Sequence, residues 1–374
     1  MMHMRVFETD IAIVGAGPAG LSAAISAAKT GAHVLLIDEN KKPGGQLFKQ
    51  IHKFFGSKEH RAGTRGFQIG IDLLEQVKQL GVQVMLDSVA YGYFEDGLGV
   101  IHEGKAAMVK AKRYILAAGA QENYLAFPGS TLPGVMGAGA AQTMINVNRV
   151  LPGKRVVMVG SGNVGLIVSY QLLQAGAQVA ALVEAAPRIT GYCVHAGKIR
   201  RAGVPIRVST TIKRILGETE VTGVELVQLD EHFKPIPGSE SVLECDTVCL
   251  AVGLNPMTEL AWQAGCQVTY IPSFGGHVPL HNEYMQTTVP EIYVAGDITG
   301  VEEASSAMEE GNLAGTAAAC SLGYLTKEDA GRELAVIWKR LNMLRAGEFG
   351  EKRKAAKEMQ MERFCDYQKK KGGA

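Results

Sequence analysis

Two stretches of the 374-residue chain space their glycines so that backbone can close around a phosphate. The first is Gly15-x-Gly17-x-x-Gly20 in the string GAGPAG, with Pro18 and Ala19 between its last two glycines. Gly15 permits a tight turn, Gly17 lets a pyrophosphate approach the backbone, and Gly20 lets a helix pack on a strand. The free N–H groups at that helix start would point at the phosphates. Asp38, 23 residues beyond Gly15, is placed to accept from both hydroxyls of a ribose. Glu39 beside it reads either as a solvated neighbour or as a second ribose contact. The other stretch is Gly160-x-Gly162-x-x-Gly165 in GSGNVG, which includes Asn163 and is closed by Glu184. A carboxylate there repels a 2′-phosphate and favours NAD over NADP, with Arg188 as the nearby cation that could reverse the preference.

Each glycine loop needs a strand before it and a helix after it, and the flanking residues supply both. IAIVGAG is a short apolar run, Pro18 suits a first helical position, and LSAAISAAK keeps helical spacing until Gly31 stops it. HVLLID is the next strand, so residues 10–38 make a strand–helix–strand unit. The same order recurs over 154–184, with RVVMVGSG, a helix, a stop at Gly176, and AQVAALVE. Two copies 145 residues apart predict two separate nucleotide folds rather than a solenoid. Between them an amphipathic helix is expected near 65–81, strands near 83–103, and a buried strand at 114–120. The Pro- and Gly-rich stretch 127–139 is the best candidate linker. Strands near 204–229 and 242–252 follow, then the turn GLNP, a looser stretch to 288, and EIYVAGD with a small-residue helix after it.

From residue 326 the chain is charged and helix-prone. Leu334, Ile337, Trp338, Leu341 and Leu344 sit at helical spacing and favour packing of its first piece on its own fold. The second piece, 351–371, has too few apolar residues to pack well, which leaves partner docking or solvent exposure.

Charge and composition exclude several classes. Lys+Arg is 38 and Asp+Glu is 37, a net +1 that gives no field to attract nucleic acid or anionic lipid. With 47% apolar and 20% charged residues the chain is neither disordered nor collagen-like. No apolar run is long enough for a transmembrane helix, and MMHMRVFETD lacks a signal-peptide core, so a cytoplasmic location is expected. The six cysteines form no C-x-x-C and no metal or cluster spacing, so no metal is expected. Cys245 and Cys249, in LECDTVCLAVG, would share one strand face at period 2 as buried small apolar residues.

In this order the motifs resemble those of the pyridine nucleotide–disulfide oxidoreductase superfamily, nearest thioredoxin reductase in size. The resemblance covers about residues 10–322 through GAGPAG, KPGGQL (42–47), YILAAG (114–119), GSGNVG, CLAVGLNP (249–256), IYVAGD (292–297) and MEEGNLAGTAAA. It implies an α/β protein with two Rossmann-like, three-layer ββα domains, the second inserted in the first. By this resemblance FAD would occupy the first fingerprint, with Gly44, Gly45 and Gln46 along its ribityl chain and ring. Ala118 and Gly119 belong to the third motif. Gly296 and Asp297 belong to the sixth, where Asp297 would bond a ribityl hydroxyl or merely cap a helix. The backbone at Ser305 and Ser306 would face the flavin's pyrimidine edge, where a helix N-terminus favours the negative charge of reduced flavin.

The redox C-x-x-C of thioredoxin reductase is missing from AQTMINVNRVLPGK, and QLFKQIHKFFGSKEHRAG lacks the C-x4-C of the other branch. Disulfide chemistry is thereby excluded. GGQLFKQIHKFFGSKEHRAGTRGF, FPGSTLPGVMGAGAAQTM and ITGYCVHAGKIRRAGVPI instead resemble the alpha subunits of amine-oxidising flavoenzymes. These are the sarcosine oxidase, hydrogen cyanide synthase and opine oxidase or hydroxyproline dehydrogenase groups. The resemblance implies a hetero-oligomer with a small 2Fe–2S protein and an amine-oxidising flavoprotein subunit, since the C-terminal cluster cysteines of longer members are absent. NAD(H) or an adenine nucleotide would fill the second site. His52, His60 and His195 read as partly exposed structural residues more than as groups lining a substrate, and no catalytic residue is assigned.

The expected domains are 1–122 with 255–330 for FAD, 123–254 for the second nucleotide, and a helical tail over 331–374. The expected activity is that of an FAD-dependent alpha subunit in a sarcosine-, proline- or hydroxyproline-type dehydrogenase or oxidase. Its rivals are a stand-alone NADH-dependent reductase of a ferredoxin, quinone or O2, and a nucleotide-binding structural subunit.

Overall fold

A computed structural model describes residues 4–55, 57–347 and 350–372. Residues 1–3, Gly56, Glu348, Phe349, Gly373 and Ala374 lie outside it, and with them parts of the N-terminal and tail readings above. The chain divides into two units, residues 1–121 with 255–374 and residues 122–254.

The chain enters the first unit through β1 (Arg5–Val14), α1 (Pro18–Lys29), β2 (Val34–Ile37), α2 (Gly66–Gln79) and β3 (Gln83–Met85). Three longer strands follow, β4 (Ser88–Phe94), β5 (Gly97–His102) and β6 (Lys105–Leu116), and β7 (Ala120–Glu122) leads onward. In the second unit β8 (Val135–Gly137) and α3 (Ala138–Thr143) precede β9 (Arg155–Val159), α4 (Asn163–Gln174) and β10 (Gln178–Val183). Next are α5 (Cys193–Arg201), β11 (Ile206–Arg207), the hairpin strands β12 (Thr210–Leu216), β13 (Gly223–Gln228) and β14 (Ser241–Glu244), and β15 (Thr247–Leu250). After β16 (Leu254–Pro256) the first unit is completed by α6 (Glu259–Gln263), β17 (Val268–Ile271), β18 (Gly276–Pro279) and β19 (Ile292–Val294). Three helices close the chain: α7 (Ala304–Ser321), α8 (Lys327–Leu344) and α9 (Glu351–Gly372).

Both units repeat one plan. In the first, β3-β2-β1-β6 run in order, with β19 added parallel to the end of β6 and the β4–β5 meander paired to its beginning. In the second, the order is β11-β10-β9-β15-β8, with β12–β13–β14 as a separate antiparallel sheet. Strand period 2 divides each unit into two cores. Ile11 and Ile13 join α1, α2, α7 and α8 on one face of β1, while Ala12 and Val14 join Leu98, Val100 and Val109 on the other. In the second unit Val156 and Met158 face the helices, and Val157 and Val159 face the antiparallel sheet. Both faces are covered, which is why these strands read as continuous apolar runs. This is the three-layer ββα architecture. Among the described residues no helix is long and apolar enough to cross a membrane, and no His, Cys, Asp and Glu group is arranged to hold a metal.

Several local expectations are corrected. The Pro- and Gly-rich stretch 127–139 is not a linker, because it lies inside the second unit and contains β8. Its glycines serve close packing: a Cβ on Gly134 would lie 2.6 Å from the Asp246 carbonyl oxygen. Cys245 and Cys249 are both buried but enter different cores, since Cys245 sits in the turn between β14 and β15 and breaks the alternation. Burial pushes their thiols up to about 11 and about 12. The strand expected at 114–120 ends at Leu116, and the looser stretch to 288 contains the β17–β18 hairpin. The second tail piece packs on its own unit after all, burying Ala356, Lys357, Gln360 and Phe364 of α9. Two of those four are polar, so an apolar count could not reveal the face.

The two halves of the first unit meet where α7 crosses α1. A Cβ on Gly311 would lie 2.1 Å from the Ala19 carbonyl oxygen, and one on Gly315 2.3 Å from that of Ala23. Gly315→Ala should therefore destabilise the protein by about 1–3 kcal/mol through overpacking. Gly331→Ala in α8, where a Cβ meets nothing within 4 Å, should stabilise it by about 0.5–1 kcal/mol through helix propensity. Opposite shifts in denaturant midpoint would bear this out, and equal shifts would refute the close crossing.

Candidate functional site

In the first unit four segments far apart in sequence converge on the end of β1. Gly15 adopts φ +100°, and a Cβ there would lie 2.3 Å from the Ala117 carbonyl oxygen at the end of β6. A Cβ on Gly20 would lie 1.7 Å from the Gly15 carbonyl oxygen. These two glycines are demanded by the protein's own packing. Gly17 is not, because a Cβ on it would meet nothing within 4 Å. The loop keeps an open space at the one glycine assigned to ligand approach, at the start of α1 with Pro18 at N1/N2. Residues 44 and 45 close on the same loop. Gly44 N–H donates to the Ala16 carbonyl oxygen at 2.7 Å, and a Cβ on Gly45 would lie 2.9 Å from Gly17 Cα. Gly296 faces Ala19 so closely that a Cβ would lie 2.8 Å from the Ala19 methyl.

Asp38 is buried and held from both sides. Its Oδ2 accepts the Ala16 N–H at 2.6 Å, and its Oδ1 accepts the Asn40 N–H at 2.8 Å. Glu39 and Gln46 are exposed, and Ala118 and Gly119 are half-buried, with Gly119 at φ +79°. Ser305 and Ser306 are buried in the first turn of α7, where the side chain of the N-cap residue Glu303 does not cap the helix and instead pairs with Arg353 at 3.6 Å. Their N–H groups belong to the helix start that intrahelical bonds leave free.

The second unit reproduces the device. Gly160 takes φ +101° with its Cβ direction blocked 2.2 Å away by the Ala251 carbonyl oxygen, and a Cβ on Gly165 would lie 2.1 Å from the Gly160 carbonyl oxygen. Gly162, like Gly17, meets nothing within 4 Å. Glu184 is buried, its Oε2 accepting Ser161 N–H at 2.8 Å and Ser161 Oγ–H at 2.6 Å, its Oε1 accepting Ala186 N–H at 2.9 Å. Asn163 turns aside: its Oδ1 accepts the Tyr192 N–H at 2.9 Å and fastens the 190–192 segment over the start of α4. Ser161 and Thr190 were not singled out in the sequence, although a hydroxyl between the glycines of GSG was a visible signal. Arg188 is exposed.

A buried ionic cluster lies beside Asp297, and no sequence pattern announced it. Glu310 Oε2 accepts the Gly296 N–H at 3.0 Å and the Thr299 hydroxyl at 2.8 Å. Its Oε1 receives Arg345 at 2.5 Å and Lys357 at 2.9 Å. Arg345 also donates to both oxygens of Glu302, at 3.1 and 3.0 Å. Burial opposes the charge on Glu310, yet Lys357 and Arg345 hold its carboxyl below the ordinary range. Among the described residues Asp297 has no such partner. Its Oδ1 accepts only a long 3.4 Å bond from Glu302 N–H, and burial, aided by the Glu310 and Glu302 charges, pushes it up to about 7. His60 is fully buried rather than partly exposed. Its Nε2 meets Glu309 at 3.2 Å, and Arg340 donates twice to the same carboxylate at 2.7 and 2.8 Å. His195 is buried as well, and His52 is half-buried.

Two units, each with a glycine loop, a free helix start and a buried carboxylate closing the second strand, define a protein of the two-dinucleotide-fold class. The family model described as pyridine nucleotide-disulphide oxidoreductase matches residues 9–311, and the chain belongs to that family. Its class is thus FAD-dependent oxidoreductase, with a second fold for a pyridine nucleotide. An opine oxidase subunit of Agrobacterium tumefaciens (strain Ach5) is 28% identical over 85% of this chain and 67% of its own length. The alpha subunit of sarcosine oxidase from Corynebacterium sp. (strain P-1) is 27% identical over 86% of this chain and 33% of its own. The chain therefore spans about two thirds of the one relative and one third of the other. Among solved structures, L-proline dehydrogenase from P. horikoshii superposes with a TM-score of 0.69 at 22% identity, over 92% of this chain and 60% of that one.

Asp297 gives the site a pH signature. The folded state keeps a proton on this carboxyl that the unfolded chain releases near its ordinary value of 3.8. In flavin-free protein this contribution is full below pH 3.8 and is lost as pH rises through about 7. Asp297→Asn should leave stability unchanged at the acid end and raise it above pH 7, by on the order of a few kcal/mol. Thermal melts across pH that do not diverge between the two proteins would refute the assignment.

Proposed function

We propose that this chain is the FAD-carrying alpha subunit of a hetero-oligomeric amine or imino-acid dehydrogenase or oxidase, of the sarcosine, proline or hydroxyproline type. The observation that carries the FAD assignment is the open space over Gly17, ringed by Gly15, Gly20, Gly44, Gly45 and Gly296, all of which the protein's own packing requires. In this reading the start of α1 binds the pyrophosphate and Asp38 orients the ribose. The turn at 44–46 and Ala118–Gly119 flank the ribityl chain and ring, while Asp297 bonds a ribityl hydroxyl. The start of α7 at Ser305 and Ser306 places N–H donors at the ring edge where negative charge develops on reduction. When bound, FAD supplies a ring that takes up two electrons and passes them on. The names of the relatives support the CH–NH donor class and the role within a larger complex. The cysteines offer no disulfide or cluster ligation among the described residues, so the electrons leave through NAD or through an iron–sulfur centre on a partner. The second unit holds NAD(H) or an adenine nucleotide, with Gly160, Gly162, Gly165 and Glu184 at the phosphates and ribose.

Purification under native conditions should give a yellow protein that co-purifies with a small 2Fe–2S protein and an amine-oxidising subunit. Gly17→Val should abolish the colour while leaving nucleotide binding by the second unit intact. A Gly17→Val protein that stays fully yellow would sink the first-site assignment. A full-length chain that alone oxidises an amine at an ordinary enzyme rate with dye as acceptor would sink the hetero-oligomer reading.

At the second site NADH should bind more tightly than NADPH by about 10–100-fold, because a 2′-phosphate would face the buried Glu184 carboxylate. Glu184→Gln should narrow that ratio, and competition titrations of the two nucleotides read it directly. Tighter NADPH binding in the unaltered protein would instead assign control to Arg188.

A further inference from the structure

The C-terminal helix α9 is amphipathic only weakly, yet it buries a lysine. Lys357 Nζ donates to the Thr299 carbonyl oxygen at 2.8 Å and to the Thr299 hydroxyl, pairs with Glu310 at 2.9 Å, and stands 5.0 Å over the ring of Phe274. Phe274 in turn packs against Gly300, where a Cβ would lie 2.4 Å from its ring. Gln360, one turn on, donates to the Pro279 carbonyl oxygen at 2.6 Å and fixes the helix against β18. Every bond of the ammonium group therefore ends on the 296–300 turn or on the carboxylate that holds it. That turn carries Asp297, and Glu310 binds its first N–H directly. Without Lys357, Glu302 and Glu310 would share Arg345, leaving one uncompensated negative charge among buried side chains. Such a charge is strongly unfavourable, and it is relieved by uptake of a proton or by movement of the turn, either of which alters the surroundings of Asp297.

We infer that Lys357 is a positioning residue for the flavin site, and that α9 completes the FAD-binding unit rather than forming a detachable docking arm. The inference rests on the FAD reading of the first unit. Lys357 does not touch the proposed cofactor. It acts through Thr299 and Glu310 on the turn that presents Asp297.

FAD affinity, flavin midpoint potential and thermal stability should be measured on the full chain for four variants. Lys357→Met should weaken FAD binding by at least about tenfold and shift the potential. The double variant Lys357→Met/Glu310→Gln restores neutrality beside Arg345 and should recover part of the affinity. Phe364→Ala loosens a buried contact of α9 away from the ionic cluster, and should lower stability without moving the potential. Thr299→Val keeps volume and charge while deleting the shared hydroxyl. It should weaken FAD several-fold, and it decides the matter should Lys357→Met fail to fold. Unchanged affinity and potential in Lys357→Met, or in a folded Thr299→Val when Lys357→Met does not fold, would overturn the inference alone. An unaltered chain that binds no FAD would overturn both it and the functional reading.

Discussion

The first unit depends on how closely two backbones can approach. Its sheet is assembled from both ends of the chain, and the seam between them is the crossing of α1 and α7. Gly311 and Gly315 let α7 lie on the carbonyls of Ala19 and Ala23 with no side chain between. At that distance the gain comes from close van der Waals contact and weak C–H···O bonds rather than from bulky apolar burial. The consequence is positional. The Gly20 helix and the Gly296 turn are fixed relative to one another, and the start of α7 comes to the same place. A wider crossing would leave the glycine loop of β1 intact and still separate it from Asp297.

Close packing brings backbone together but leaves charges to be dealt with. Glu302, Glu310, Arg345 and Lys357 have side chains only 3–4% exposed. Taking four such groups out of water is costly, and attraction offsets the cost only with every lone pair and proton engaged. Glu310 meets that condition with four donors. Asp297 does not, and it carries the raised carboxyl value. The cations of the cluster sit on Glu302 and Glu310, so at Asp297 burial and the neighbouring negative charges prevail.

The glycine triplets, Asp38, Glu184 and the repeat of the nucleotide fold were legible in the sequence because each is local: a strand, a turn and a helix within some 30 residues. The apolar stripe of α8 was legible for the same reason, since 3.6-residue spacing shows on paper. What escaped depended on distant partners. Lys357 looks like any other lysine in a charged helix until Glu310 and Thr299 are placed against it. His60 needs Glu309 and Arg340 to be buried. The face of Cys245 needed the turn at Asp246, which period 2 cannot foresee. The glycines at 129 and 134 looked like linker because flexibility and close approach call for the same residue.

The two copies of the nucleotide fold answer the same problem with the same bonds, and their differences follow from what is laid over them. In each, the carboxylate that ends the second strand accepts the N–H of the residue after the first glycine, Ala16 on Asp38 and Ser161 on Glu184. That bond fixes the loop before any ligand arrives, so the cradle is preorganised. Around the first copy the chain adds the turn at 44–45, the 296–300 turn and the start of α7. Around the second it adds the 190–192 segment, tied down by Asn163 and Ser161. The same backbone loop thus recurs in both units with the same carboxylate bond, and what differs between them is the set of elements placed over it.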